Sequence, residues 1–83
     1  MALTETSYIP EWTLGDRLAK ARKDGAGLTQ DQMAERLEVK ASTLAAWESD
    51  RSRPRDLTGI AQQWAEITGV DPVWLLGFRT GSR

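Results

Sequence analysis

Apolar residues recur at helical spacing in four stretches of the chain. Leu14, Leu18 and Ala21 form one stripe, and Met33, Ala34 and Leu37 a second. Leu44 and Trp47 form a third. Leu57, Ile60, Ala61 and Trp64 form a fourth, continued by Ile67 or Thr68. Residues that start and stop helices bracket these stripes. Thr13 is a suitable N-cap, with the Asp16 carboxylate near the positive helix end. Thr29 and Gln32 have the spacing of a capping box. Gly25 or Gly27 can supply a left-handed cap, and Gly69 ends the fourth stripe. Asp71-Pro72 opens one more short helix, because proline fits the first helical position. The pattern predicts helices over about residues 14–23, 29–37, 41–49 and 57–68, then a short fifth. Val73 and Leu76, with Trp74, are expected to close the core from that last helix. Residues 1–12 read as a flexible arm in which Tyr8, Ile9 and Trp12 can pack back on the core, residues 13–78 as one domain, and residues 79–83 as a frayed tail.

Only Glu38, Val39 and Lys40 separate the second and third predicted helices. Two short helices joined by so tight a turn have the spacing of a helix-turn-helix, whose second helix can enter a DNA major groove. The third helix is anchored inward by Leu44 and Trp47. Ser42, Ala45, Ala46 and Ser49 then face outward at 100° per residue. This face carries no Arg, Asn or Gln, the side chains that best read guanine and adenine edges. Ser42 can hydrogen-bond several base edges, and Ala45 and Ala46 can touch thymine methyls. Base discrimination by the helix is therefore expected to be modest and biased to apolar contact, with flanking arginines and DNA shape supplying much of the rest. The stretch Asp50 to Arg55 is a loop by composition, stiffened by Pro54. Its Arg51, Arg53 and Arg55 are suited to clamp the phosphate backbone.

The motif extends beyond spacing. Leu28-Thr29-Gln30, Ala34, Leu37, Val39, Thr43-Leu44 and Trp47-Glu48 closely resemble the phage repressor and Cro (XRE-like) family, over roughly residues 14–76. The resemblance implies an all-α, five-helix lambda-repressor-like domain containing a helix-turn-helix. It implies a sequence-specific, double-stranded DNA-binding transcriptional regulator, Cro-like or repressor-like, that occludes a promoter. A bacterial regulator or antitoxin is close behind. The resemblance implies that Gln30 lies against the DNA backbone and that the loop arginines contact DNA; with Lys40 at the turn and the third helix's Ala41, Ser42, Thr43, Ala45, Ala46 and Ser49, these are the candidate DNA contacts. The resemblance also implies a structural ion pair between Arg22 and Glu48. Gly69 to Leu76, GVDPVWLL, is similar to the family's last helix, which in several relatives forms a dimer contact; Trp74 and Phe78 would serve a weak homodimer here. Two positions depart from the pattern. Glu38 stands where many relatives have glycine, and Lys40 where they often have a Ser or Thr cap. A non-glycine residue at positive φ costs about 1 kcal/mol.

Composition narrows the chemistry. The 83 residues suffice for one domain and contain no cysteine and no histidine. Thiolate chemistry, disulfides and the usual general base and zinc ligand are thereby removed. No enzyme activity, metal, cofactor or small-molecule ligand is expected. No apolar run approaches the roughly 20 residues of a membrane span, and the start lacks a signal-peptide pattern, so a cytoplasmic protein is expected. Formal net charge is −1. That weighs against DNA binding, whose affinity comes largely from neutralised phosphates. A protein-interaction module that kept the fold and lost DNA contact is the alternative reading.

Overall fold

The computed structural model describes residues 11–77. These form five α-helices and one π segment. Helix α1 spans Leu14–Lys20 and runs directly into the π segment Ala21–Ala26. Helices α2 (Gln30–Leu37), α3 (Ala41–Glu48), α4 (Leu57–Thr68) and α5 (Pro72–Leu75) follow. No helix among the described residues is long and apolar enough to cross a membrane. The predicted arm residues Tyr8 and Ile9, the tail and Phe78 lie outside the described residues.

Helix starts follow local chemistry. Thr13 and Asp16 form a reciprocal capping box, as do Thr29 and Gln32. Asp71 accepts from the Val73 N–H with Pro72 at the first helical position. Each bond satisfies an N–H that an isolated helix would leave to water. Helix α1 departs from expectation at its other end. It continues to Ala26 with a widened π turn rather than stopping at Lys23, and Gly27 takes the left-handed cap at φ 65°. The wider turn brings Gly25 against the end of α4. A Cβ there would lie 2.8 Å from the Thr68 carbonyl oxygen and 3.1 Å from Val70 Cγ2.

The core is built around Trp64 on α4, which is fully buried. A buried indole N–H needs an acceptor, and it donates to the Leu18 carbonyl at 3.0 Å. Leu18, Met33, Leu44 and Leu75 surround it, each 0% exposed, so every other helix contributes. Ala34 is buried and small, which permits close approach of α2 and α3. Residue Leu75, not Val73 or Leu76, closes the core from α5. Val73 is 40% exposed, and Leu76 and Trp74 are half-buried. A helix of one turn has too few positions for its periodicity to fix the inward face; packing against α4 and α1 fixes it. Trp12 stacks obliquely on Trp74 with centroids 6.0 Å apart. Arg17 lies over Trp74. Lys20 sits over Trp12 and pairs with Asp24.

Helices α2 and α3 end in the same way. After α2, the Val39 N–H donates to the Ala34 carbonyl and the Glu38 N–H to Glu35. After α3, the Arg51 N–H donates to Ala46 and the Asp50 N–H to Trp47. Both are Schellman ends, which require a left-handed residue. Glu38 has φ 61° and Asp50 φ 63°. Both positions thus carry a strained acid where glycine would sit at no steric cost. The Glu38 side chain is exposed and makes no hydrogen bond among the described residues. Glu38→Gly should therefore stabilise the domain by about 1 kcal/mol, raising the thermal midpoint by roughly 4–8 °C. Calorimetry of the two proteins checks this, and an unchanged or lower midpoint would mean that the turn is not strained.

Candidate nucleic-acid interface

The turn Glu38–Lys40 sets α3 across α2. Leu44 and Trp47 enter the core, at 0% and 7% exposure. Ser42 and Ser49 are exposed on the opposite side, with Ala45 and Ala46 half-buried between them. Thr43 is half-buried, and Ala41 leans on the core. Lys40 occupies the N-cap without a side-chain cap bond and is exposed. The start of α3 thus presents a lysine and a hydroxyl, and its middle presents methyl groups.

Helix α3 is braced from inside by Glu48. The Arg22 guanidinium grips its carboxylate with both forks, Nε to Oε2 and Nη2 to Oε1, each at 2.8 Å. The two side chains are 7% and 4% exposed. Removing two charges from water is costly, and only good geometry with complete hydrogen bonding recovers the cost. Both conditions are met. Arg22 Nη1 donates to the Leu28 carbonyl at 2.8 Å, and Glu48 accepts a third bond from Gln30 Nε2 at 2.9 Å. Gln30 therefore turns its amide nitrogen inward, at the first position of α2. One N–H is committed to Glu48, which leaves the other N–H and the amide oxygen for an outside partner.

The loop after α3 carries Arg51, Arg53 and Arg55, all exposed, around a buried Pro54. Among the described residues none of the three forms an ion pair. The two acids flanking them are engaged elsewhere. Asp56 accepts from the Gly59 N–H at 3.0 Å and caps α4. Asp50 accepts from the Gly15 N–H at 3.0 Å and from the Thr13 hydroxyl at 2.6 Å, at the start of α1. Each carboxylate lies against a positive helix end, so the charge between them is predominantly cationic despite the net charge of the chain. The arginines do not form a single cluster. Arg51 Nε donates to Ser49 Oγ at 2.9 Å, and that hydroxyl donates to the Ala46 carbonyl at 3.3 Å. Ser49 is thus spent on the loop. Arg53 helps to line a hollow at the start of α1, together with Glu11, Trp12, Arg17, Asp50 and Leu76. Local patterning does not reveal the engagement of Asp50, because its partners lie 35 and 37 residues away.

The brace has a measurable consequence. Arg22→Ala leaves Glu48 buried without its cation, at a cost of about 3–5 kcal/mol. Thermal denaturation followed by circular dichroism should show a large drop in midpoint. An unaltered midpoint would mean that the pair contributes little.

No curated protein and no solved structure matches the chain at a significant level. A family model described as "Helix-turn-helix domain" does match, over residues 15–77. That span starts in the first turn of α1, ends just after α5, and contains the buried brace, the α2–turn–α3 unit and the arginine loop. The chain belongs to the helix-turn-helix domain family, of the XRE type.

Proposed function

We propose that the protein is a sequence-specific regulator of transcription that binds double-stranded DNA and occludes a promoter, in the manner of a phage Cro or repressor protein, in the cytoplasm of a bacterium or an infected host. One observation carries the reading. A family-matched helix-turn-helix offers an exposed α3 face beside three loop arginines whose neighbouring acids are turned onto helix ends. Helix α3 enters the major groove. Ser42 and Thr43 meet base edges near its start, and Ala45 and Ala46 approach thymine methyls. Lys40 and the remaining N–H of Gln30 meet phosphates on one side, with the start of α2 adding its positive dipole. Arg51, Arg53 and Arg55 meet them on the other, with Ser49 holding Arg51. Ala41 allows close approach of the helix. A weak homodimer through α5 fits the exposed Val73 and half-buried Trp74. Two-fold symmetry in the bound site would accompany it.

The second reading, a protein-interaction module of the same fold, is favoured by the net charge of −1 and by the inward turn of the Gln30 amide. Salt separates the two. DNA binding should weaken steeply between low and moderate salt, by about 0.9 in log–log slope per phosphate neutralised. Undetectable binding to any duplex, even at low salt, would favour the second reading. For the DNA reading, Arg53→Ala with Arg55→Ala should weaken binding to all sequences and flatten the slope by up to about 2. An unchanged slope would remove both arginines from the phosphate contact. Ser42→Ala should alter base preference more than overall affinity, measured by competition among single-base variants of a selected site. A uniform loss would place Ser42 on the backbone.

A further inference from the structure

We infer that Asp50 is a positioning residue for DNA binding: its carboxylate latches the end of α3, and the arginine loop that leaves it, to the first turn of α1. The inference rests on the DNA-binding reading above. Asp50 sits at φ 63° in a Schellman end, where glycine would be unstrained. Glu38 occupies the equivalent place after α2, yet its side chain makes no hydrogen bond among the described residues. Asp50 differs. Oδ1 accepts from the Gly15 N–H and Oδ2 from the Thr13 hydroxyl. Both bonds are charge-assisted, and such bonds are roughly twice as strong as neutral ones. The Thr13 hydroxyl also accepts from the Asp16 N–H. The latch is therefore continuous with the cap of α1.

The packing around the latch is as specific as its hydrogen bonds. A Cβ on Gly15 would lie 2.3 Å from the Glu48 carbonyl oxygen and 2.7 Å from Asp50 Oδ2. The end of α3 therefore rests directly on bare backbone, and Asp50 reaches the Gly15 N–H because no side chain intervenes. Two carboxylates at the end of α3 then grip the start of α1 and the π segment that continues it. Asp50 holds Thr13 and Gly15, and Glu48 holds Arg22. Seven residues from Gly15 to Arg22 span about 10 Å of helix. One grip would leave α3 able to pivot, whereas two grips fix its direction. They also fix where the chain turns out toward Arg51, whose N–H closes the same Schellman end.

This role makes a prediction opposite in sign to simple electrostatics. Asp50 is a negative charge next to three arginines that meet a polyanion. By Coulomb's law alone, removing it should tighten DNA binding. If it is a latch, removing it should weaken binding. Asp50→Gly keeps the left-handed turn without strain and removes both hydrogen bonds. Asp50→Asn removes the charge but keeps an acceptor for the Gly15 N–H. Thr13→Val removes one latch bond, and with it the cap bond to the Asp16 N–H, without altering any charge. The probe is a duplex selected from a random pool by the unaltered protein, titrated at several salt concentrations. The latch predicts about tenfold weaker binding for Asp50→Gly with an unchanged salt slope, since no phosphate contact is lost. It predicts a smaller loss for Asp50→Asn and a clear loss for Thr13→Val. Binding by Asp50→Gly as tight as or tighter than the parent overturns the inference, as does parental affinity for Thr13→Val. If the unaltered protein binds no duplex in the selection, the DNA reading fails and the latch, as a device for it, fails with it.

Discussion

The buried Arg22–Glu48 pair is the constraint on which the remainder of the arrangement depends. It joins the π segment after α1 to the last residue of α3, and its outer bonds reach Leu28 and Gln30 at the approach to α2. An ion pair in an apolar interior stabilises little compared with a well-packed hydrophobic substitute, since desolvation offsets most of the attraction. What it gives instead is direction. A planar guanidinium holding a carboxylate by two parallel bonds tolerates little rotation. The exposed face of α3 is therefore referred to a fixed internal frame rather than to apolar packing alone, which is less directional. No buried side-chain nitrogen or oxygen among the described residues lacks a partner, so the polar frame is complete.

Around that frame the domain uses acidic side chains at helix ends. Asp16, Asp50, Asp56 and Asp71 each accept from a backbone N–H near the start of a helix. Such placement is favourable because the helix dipole and the unsatisfied N–H groups both attract a carboxylate. It also bears on function. An acid held against a helix start offsets less of the field that an approaching phosphate meets than one paired with an arginine. The overall charge of −1 therefore understates the cationic character of the loop between Asp50 and Asp56. Helix-turn-helix proteins depend on where their charge lies more than on its sum.

The two left-handed acids show how strain is distributed. Both close Schellman ends, Glu38 in the turn between α2 and α3 and Asp50 just after α3, and the geometry of that unit requires positive φ at each. At Asp50 the side chain offsets the strain through two bonds to α1. At Glu38 no hydrogen bond among the described residues does so. The tight turn is therefore the less stable of the two joints. The apolar contact of Val39 with the core, which usually accompanies this motif, holds it in place.

Helix positions and most helix starts were legible in the sequence, because they depend on residues three or four apart. Thr13 with Asp16, Thr29 with Gln32 and Asp71 with Pro72 act within one turn, and the inner stripes of α1, α2 and α3 follow from the helical repeat. The outward placement of Ser42 and Ser49 follows from the same repeat. The Arg22–Glu48 pair was accessible through family resemblance and not through spacing. Tertiary contact decided the rest. Gly25 against α4, and with it the π segment, depends on a neighbour far along the chain. So do the choice of Leu75 over Val73 and Leu76, the inward turn of Gln30 and the engagement of Asp50. Their partners lie too far along the chain for any short-range pattern to register them, and their geometry exists only once α1, α3, α4 and α5 have packed.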